Sequence, residues 1–141
     1  MTKILIVEDN PRARHALKAL VLQRAGIQIA TEASNGQEAI LNIKGQIPDI
    51  VLMDMRMPVM DGLEATKIIK SRWPQIKVIV LTMYPDHRMD ALSAGADAFL
   101  MKGCPVEEIT SLLHKFQRQD VGANNFSLFC FFPTIIPPQI I

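Results

Sequence analysis

Short apolar runs alternate with longer amphipathic stretches along most of this chain. Three of the runs are continuous: Ile4–Val7, Ile50–Met53 and Val78–Leu81. Continuous runs of this length are typical of parallel strands that are covered on both faces. The weaker run Gln28–Ala33 suits an edge strand, and Ala96–Met101 predicts a fifth strand.

The stretches between these runs carry helix signals. Asn10 followed by Pro11 is a favourable helix start, and we expect Gly26 to end that first helix. Asn35-Gly36 predicts a turn or another helix start. The last helix is predicted by apolar residues at helical spacing, which are Ile109, Leu112, Leu113 and Phe116. Five βα units in sequence predict an α/β fold, an open parallel sheet with helices on both faces.

The polar residues at the strand ends are the candidates for chemistry, because open parallel sheets bind ligands beyond the carboxyl ends of their strands. These residues are Glu8, Asp9, Asp54, Thr82 and Lys102. Three carboxylates in one crevice repel each other and should raise one another's pKa, which a single lysine offsets only in part. Oxygen ligands of this kind suit Mg²⁺, and with a lysine and a hydroxyl they indicate a phosphoryl-transfer site.

A plainer interpretation exists for each of these residues taken alone. A single aspartate at a strand end is often a helix cap, and a single lysine is usually part of the exposed surface. The agreement of four strand ends with one chemistry favours the site over this interpretation.

Four motifs resemble those of a known family. Glu8-Asp9 resembles an acidic pair, and Asp54-Met55-Arg56-Met57-Pro58-Val59-Met60-Asp61-Gly62 resembles a phosphoacceptor aspartate with its Met-Pro-x-x-Asp-Gly loop. Leu81-Thr82 and Phe99-Leu100-Met101-Lys102 resemble the two remaining signatures. From about Lys3 to Gln119 the chain is similar to the receiver domains of two-component response regulators. Leu81–Tyr84 and Gly95–Asp97 are most similar to the receivers that precede a LuxR-type helix-turn-helix domain.

The resemblance implies a flavodoxin-like (βα)5 fold with strand order 2-1-3-4-5, in a cytoplasmic phosphorelay that regulates transcription. Asp54 would be the phosphoacceptor, taking a phosphoryl group from a histidine kinase. Asp9, Asp54 and the main-chain carbonyl of Arg56 would hold Mg²⁺, with Glu8 acting through water.

The resemblance also implies a switch. Lys102 would pair with a phosphoryl oxygen, Thr82 would donate its hydroxyl to the phosphate, and Phe99 would rotate inward as Thr82 moves. The fourth helix, fifth strand and fifth helix would form the surface that changes. Such a receiver carries out its own phosphoryl transfer and a slow autodephosphorylation, and we do not expect an enzyme with turnover.

Four positions depart from the family pattern or vary within it. Lys102-Gly103 stands where many receivers have Lys-Pro, so a cis Lys-Pro bond is not available, and Met83 is bulkier than the small residue common there. Arg56 and Tyr84 flank the phosphoryl site in the family and could tune the phosphate's lifetime. Their interpretation as ordinary exposed loop residues is equally open.

Three other functions are alternatives to the switch. A phosphatase of the haloacid-dehalogenase type would need a second aspartate as general acid, and Arg56 occupies that position. A flavodoxin-like electron carrier would need a Ser/Thr- and Gly-rich phosphate loop after the first strand, where Glu8-Asp9-Asn10-Pro11 would repel phosphate. A truncated or stand-alone receiver that acts as a protein-binding module without phosphorylation stays open.

Composition bears on the partners and the cellular location expected for this chain. Lys and Arg number 15 against 14 Asp and Glu, so the net charge of +1 gives no support to direct nucleic-acid contact. Two cysteines make no disulfide framework, which favours a reduced cytoplasmic setting. The first apolar run reaches Glu8 too early for a signal peptide, and no stretch approaches the roughly 20 apolar residues of a membrane span.

The composition changes near residue 120, which divides the chain into a receiver over 1–119 and a tail over 120–141. After Asp120 the tail carries no charge but holds four of the six Phe and three of the nine Pro. It is too short for a helix-turn-helix, so we expect no effector domain in this chain. The tail is either a disordered extension or an apolar segment that packs on the receiver or a partner chain and promotes a homodimer.

The remaining reactive residue types offer weaker candidates. His15, His87 and His114 have no ligand spacing and are expected at surface or capping positions. The methionines around the third strand are expected to pack in the core or loops. Cys104 lies close to Lys102, whose charge would favour its thiolate, although an inert thiol is the better interpretation.

Overall fold

The computed structural model describes residues 1–118, which form one five-stranded parallel sheet. The strands are β1 (Thr2–Val7), β2 (Ile27–Ala33), β3 (Ile50–Asp54), β4 (Lys77–Thr82) and β5 (Ala98–Met101). Their order across the sheet is β2-β1-β3-β4-β5, and every neighbouring pair is parallel. The predicted α/β class and flavodoxin-like fold are therefore confirmed.

Helices connect the strands and cover both faces of the sheet. They are α1 (Pro11–Leu22), α2 (Gly36–Gly45), α3 (Gly62–Arg72), α4 (Arg88–Ser93) and α5 (Val106–Arg118), and a single 3₁₀ turn, Pro85–His87, precedes α4. No helix within residues 1–118 is long and apolar enough to cross a membrane.

Alternation along the strands creates two hydrophobic cores. In β1, Leu5 and Val7 pack with the buried residues of α2, α3 and α4, whereas Ile4 and Ile6 pack with those of α1 and α5. Side chains of successive strand residues point to opposite faces, so a strand covered on both faces must be apolar throughout. This explains why the central strands appear in the sequence as unbroken apolar runs.

Side-chain caps start three of the helices just beyond the strand ends. Asn10 accepts hydrogen bonds from the N–H groups of Arg12 and Ala13. Asn35 and Asp61 cap α2 and α3 in the same way. Such a cap satisfies N–H groups that have no partner inside the helix. The predicted helix start at Asn10-Pro11 is confirmed, and Asn35-Gly36, predicted as a turn or a helix start, begins α2.

Two predicted boundaries are wrong. Helix α1 ends at Leu22, because the N–H groups of Gln23 and Arg24 bond three residues back and tighten the last turn. Gly26 lies in the following turn with φ 83°, and its carbonyl accepts from the N–H of Thr2. Strand β5 begins at Ala98, because the N–H of Ala96 still bonds to Ala91 in the turn after α4. The predicted 120–141 tail and its boundary lie outside the described residues.

Candidate functional site

The acidic pair follows β1 directly, and its two members differ in environment. Glu8 is buried, with 4% of its surface exposed, whereas Asp9 is exposed. Glu8 Oε2 accepts the N–H of Asn10 at 3.2 Å, and the Arg14 guanidinium donates to the Glu8 main-chain carbonyl at 2.7 Å. These contacts hold the chain at the turn from β1 into α1 and fix the Glu8 carboxylate at the sheet edge.

Asp54 is the last residue of β3 and is also buried, with 5% exposure. The chain after it turns back sharply, so that the N–H of Gly62 donates to the carbonyl of Met55 at 2.8 Å. A Cβ atom at Gly62 would lie 2.2 Å from the Asp54 carbonyl oxygen. Glycine is therefore required at this position, because any side chain would push the loop away from the strand end.

Lys102 follows β5 and places its ammonium group between the two buried carboxylates. Its Nζ lies 2.8 Å from Glu8 Oε1 and 3.0 Å from Asp54 Oδ1. Its main-chain N–H donates to the Thr82 carbonyl at 2.7 Å, which fixes it to the end of β4. Burial favours the neutral amine, but hydrogen bonds to Glu8 and Asp54 outweigh burial and raise the Lys102 pKa.

The two buried carboxyls respond to this environment in opposite directions. Burial raises the pKa of Asp54 to about 6; its hydrogen bond with Lys102 opposes the rise and the charge of Glu8 adds to it. Burial also acts upward on Glu8, but the Lys102 and Asn10 hydrogen bonds outweigh it and lower the Glu8 pKa. The expectation that the carboxylates raise one another's pKa is thus correct for Asp54 and wrong for Glu8, because Glu8 accepts two hydrogen bonds.

Thr82 ends β4 beside these groups, and its side chain is almost fully buried. Its hydroxyl lies 3.1 Å from His87 Nδ1 and accepts the N–H of Tyr84 at 3.2 Å. The Arg56 guanidinium lies 5.2 Å from the centre of the Tyr84 ring, a cation–π contact. Arg56 and Tyr84 are both exposed, as the loop interpretation expected, and they contact each other.

Phe99 lies in β5 and is buried in the core formed with α2, α3 and α4. It pairs in register with Val80 of β4, two residues before Thr82. The five predicted strand-end residues therefore meet at one edge of the sheet, with Phe99 in the core beneath that edge.

The donor set fits Mg²⁺. One carboxylate oxygen from each of Glu8, Asp9 and Asp54 lies within 4.8 Å of the others. Hard oxygen donors that surround a small space are the ligands Mg²⁺ prefers, and Lys102 alone leaves the cluster with excess negative charge. Arg56 lies in the loop that follows Asp54, in the chain position predicted for a carbonyl ligand.

The weaker candidates do not form a second site. Within residues 1–118, the acidic set is the only group of three or more potential metal ligands, and His15 and His114 are exposed. Burial raises the pKa of the Cys104 thiol and Glu108 adds to the rise, so the expected help from Lys102 toward a thiolate is wrong. The methionines Met53 and Met55 pack in the core as predicted.

Two contacting residues were not predicted from the sequence. His87 was expected at a surface or capping position, yet it contacts the Thr82 hydroxyl. The one signal available is its position five residues after Thr82, directly before α4. Arg14 contacts the Glu8 backbone, and no pattern in the sequence indicates this contact.

A mostly apolar groove of about 270 Å³ adjoins the site along α1. Ala16, Leu20 and Ile109 line it, and it reaches Glu8 and Lys102 at one end.

Comparison with known proteins decides the family. The sequence profile of the response regulator receiver domain matches residues 4–114, which is most of the chain. The chain belongs to the response regulator receiver domain family. Receiver domains are the signalling switches of two-component systems, work with histidine kinases and bind Mg²⁺ at an acidic pocket. This membership favours the switch over the phosphatase and flavodoxin alternatives.

The relatives of this receiver domain include a transcriptional regulator and a LuxR-family response regulator. It is 41% identical over 111 residues to the transcriptional regulatory protein LnrK of Bacillus subtilis, covering 77% of this chain and 50% of that protein. The chain thus spans about half the length of this relative. A LuxR-family DNA-binding response regulator from Staphylococcus aureus superposes with a TM-score of 0.76 at 30% identity, covering 82% of this chain and 98% of that one.

A further neighbour was solved with a metal and a phosphoryl mimic. The response regulator TrrA of Thermotoga maritima, in complex with Mg²⁺–BeF, has a TM-score of 0.75 and 35% identity. The match covers 82% of this receiver domain and 99% of that chain.

Proposed function

We propose that this chain is a phosphoacceptor receiver in which Asp54 takes a phosphoryl group from a histidine kinase in the presence of Mg²⁺. The supporting observation is the position of Asp54, buried at the end of β3, 3.0 Å from Lys102 and within 4.8 Å of the Glu8 and Asp9 carboxylates. Phosphoryl transfer depends mainly on positioning and charge neutralisation, and this arrangement provides both.

The transfer uses the Asp54 carboxylate as nucleophile. One of its oxygens bonds to phosphorus while the bond from phosphorus to the kinase histidine breaks, and the leaving imidazole keeps the electron pair. With a pKa of about 6, Asp54 is about nine-tenths ionised at pH 7, so the nucleophilic form predominates. Lys102 pairs with a phosphoryl oxygen, and its raised pKa keeps it charged throughout.

Glu8, Asp9, Asp54 and the main-chain carbonyl of Arg56 form the metal site in this proposal. A bound Mg²⁺ supplies positive charge that offsets the phosphoryl oxygens and the clustered carboxylates. Glu8 acts through water, because its two oxygens already bond to Lys102 and the N–H of Asn10.

The switch proceeds through Thr82 and Phe99. The Thr82 hydroxyl turns to the phosphoryl oxygen, and Phe99 moves further into the space that Thr82 leaves. The affected surface is the face formed by α4, β5 and α5, because Thr82 leads into α4 and Phe99 belongs to β5. A local charge change thereby favours one of two packing arrangements.

The relatives extend the proposal to transcription regulation. LnrK is a transcriptional regulatory protein and the S. aureus neighbour is DNA-binding, so we place this receiver in the same kind of pathway. Residues 1–119 form the receiver in this proposal. Because the charges are nearly balanced, we assign DNA contact to another polypeptide or another part of a longer protein.

Phosphate labelling tests the assignment. Purified protein is incubated with acetyl phosphate and Mg²⁺ and examined by intact-mass spectrometry. We expect one phosphate adduct on the wild type, none on Asp54→Asn, and none without Mg²⁺. Asp90→Asn is the matched control, because Asp90 is an exposed aspartate in α4 outside the site, and it should label like the wild type.

The outcomes separate the two remaining functions. Equal labelling of Asp54→Asn would refute the phosphoacceptor role. A folded wild type that takes up no phosphate from acetyl phosphate or a histidine kinase would indicate the protein-binding module instead.

A further inference from the structure

The hydroxyl of Thr82 is already engaged before any phosphoryl group arrives. Its oxygen has two partners among the described residues, the N–H of Tyr84 at 3.2 Å and His87 Nδ1 at 3.1 Å. Thr82 is 1% exposed, so water contributes little to these bonds. Its hydroxyl proton therefore needs an acceptor inside the protein.

The need for an acceptor decides which atom donates in the hydrogen bond between Thr82 and His87. A threonine hydroxyl has one proton to donate and two lone pairs that accept. Tyr84 supplies a donor to one lone pair. If Nδ1 also carried a proton, the Thr82 hydroxyl proton would be buried without an acceptor, which is unfavourable. Thr82 therefore donates to an unprotonated Nδ1.

Two further contacts hold the His87 ring in place. The Tyr84 ring meets the His87 ring edge to face, with centroids 5.4 Å apart, and the main-chain N–H of His87 donates to the main-chain carbonyl of Tyr84 at 3.2 Å. Arg56 in turn lies over the Tyr84 ring. His87 is thus fixed by its neighbours in the position where it accepts from Thr82.

We propose that His87 is a positioning residue that holds Thr82 in the unphosphorylated arrangement. The proposal rests on the function above, in which Thr82 donates the same proton to the phosphoryl group. Because a hydroxyl has one proton, His87 and the phosphoryl oxygen compete for it. The bond from Thr82 to His87 must therefore break before Thr82 can donate to the phosphoryl group, and this requirement makes the phosphorylated arrangement less stable.

The bond also links the site to α4. His87 is the last residue of the 3₁₀ turn, and α4 begins at the next residue, Arg88. When Thr82 turns to the phosphoryl group, the 3₁₀ turn loses its side-chain tether to β4. The start of α4 is then released at the same moment as the phosphoryl group is bound.

The test measures beryllium fluoride binding, the mimic found with Mg²⁺ in the TrrA neighbour, by ¹⁹F NMR titration. Losing one competing hydrogen bond should make His87→Ala bind the mimic about fivefold more tightly than the wild type. The apparent Mg²⁺ affinity of His87→Ala without the mimic should equal that of the wild type. A substitution that distorted the whole site would change this affinity as well. Met89→Ala is the matched control, an exposed α4 residue that should bind like the wild type.

Two further variants keep the result decisive. His87→Asn retains an acceptor near the Nδ1 position and should stay close to the wild type, and it replaces the alanine variant if that protein fails to fold. In a Thr82→Val background, His87→Ala should have no effect, because the shared proton is gone. Unchanged or weaker mimic binding by His87→Ala, or an effect that persists with Thr82→Val, would overturn the proposal. A wild type that binds no mimic would instead refute the phosphoacceptor function.

Discussion

Asp54 combines two demands that conflict in the resting protein. Its position at the buried strand end orients the nucleophile, but burial and the nearby Glu8 charge destabilise the carboxylate. Lys102 offsets part of this cost, yet the Asp54 pKa still lies above its ordinary value. The ionised form of Asp54 is therefore less stable in the folded protein than in the unfolded chain.

This conflict predicts a pH-dependent stability. Between the ordinary pKa of 3.8 and about 6, the native state binds more protons at Asp54 than the unfolded state. Its contribution to the free energy of unfolding therefore falls as pH rises through that window. Without Mg²⁺, Asp54→Asn should be more stable than the wild type at pH 7, by up to about 3 kcal/mol. Thermal melts should show the two proteins converging toward pH 4.

Glu8→Gln is the control, because its stability change at pH 7 should be opposite in sign to that of Asp54→Asn. The Glu8 pKa is lowered, so its charged form stabilises the fold, and the glutamine should be less stable than the wild type at pH 7. If the gap between Asp54→Asn and wild type stayed constant from pH 4 to pH 7, the raised Asp54 pKa would not be its cause.

Single residues also show where sequence reasoning stops. Asp54, Thr82 and Lys102 are predictable, because the carboxyl ends of parallel strands share one edge and each apolar run ends in a polar residue. The direction of the Glu8 pKa is not, because it depends on a hydrogen bond from a lysine 94 positions away. The His87 contact depends on a local 3₁₀ turn that has no periodic pattern.

At the scale of elements, the loop from β3 to α3 has the tightest geometry near the site. Val59 has a φ of 69°, and the Met60 N–H donates to the Pro58 carbonyl at 2.7 Å, which forms a γ-turn. The loop then returns to the end of β3 through the close approach of Gly62 to Asp54. The position of Asp54 depends on this return.

Replacing Gly62 should therefore damage both fold and site. A Cβ atom in Gly62→Ala would lie 2.2 Å from a backbone oxygen that cannot move aside, so we expect a loss of about 2 kcal/mol or more. Phosphate uptake should fall as well, because the loop carries the residues after Asp54. Urea unfolding and acetyl phosphate labelling measure the two effects.

Gly45→Ala is the matched glycine control. A Cβ there meets nothing within 4 Å, and Gly45 is the last residue of α2. This variant should be as stable as the wild type or more stable by up to about 1 kcal/mol, with normal labelling. Equal stability losses in the two variants would show that the contact with Asp54 is not the cause.

The sequence predicts whether a segment is a helix or a strand better than it predicts the residues at which that helix or strand ends. The strands were evident from their apolar runs, and α1 from Asn10-Pro11, because burial on two faces and capping leave direct marks in sequence. Gly26 misled the prediction of the end of α1, since a glycine with positive φ serves a turn as well as a helix end. The end itself is set by hydrogen bonds of Gln23 and Arg24 that any residue could make.

At the scale of the whole molecule, the site described within residues 1–118 lies far from the tail in sequence. Its contacts at the sheet edge join residues between Glu8 and Lys102. The tail was predicted from composition alone to favour a homodimer, and that remains a prediction.

Deletion of residues 121–141 tests the tail. Removing a segment with four phenylalanines and no charge should shift the protein toward monomer in multi-angle light scattering. Labelling of Asp54 should persist, because the site residues and the helices around them are retained. An unchanged molar mass on deletion, together with rapid proteolytic removal of the tail from the full chain, would contradict a role in association.

The link between Glu8 and Lys102, 94 positions apart, also bears on how the chain matures. Synthesis supplies the first carboxylates long before the lysine that lies between them, and β5 is both an edge strand of the sheet and the last strand in sequence. Until β5 docks, the edge holds acidic groups without their cation, so a nascent or nicked chain has no competent acceptor. Under the proposed function, only molecules in which β5 has docked can therefore be phosphorylated and take part in signalling.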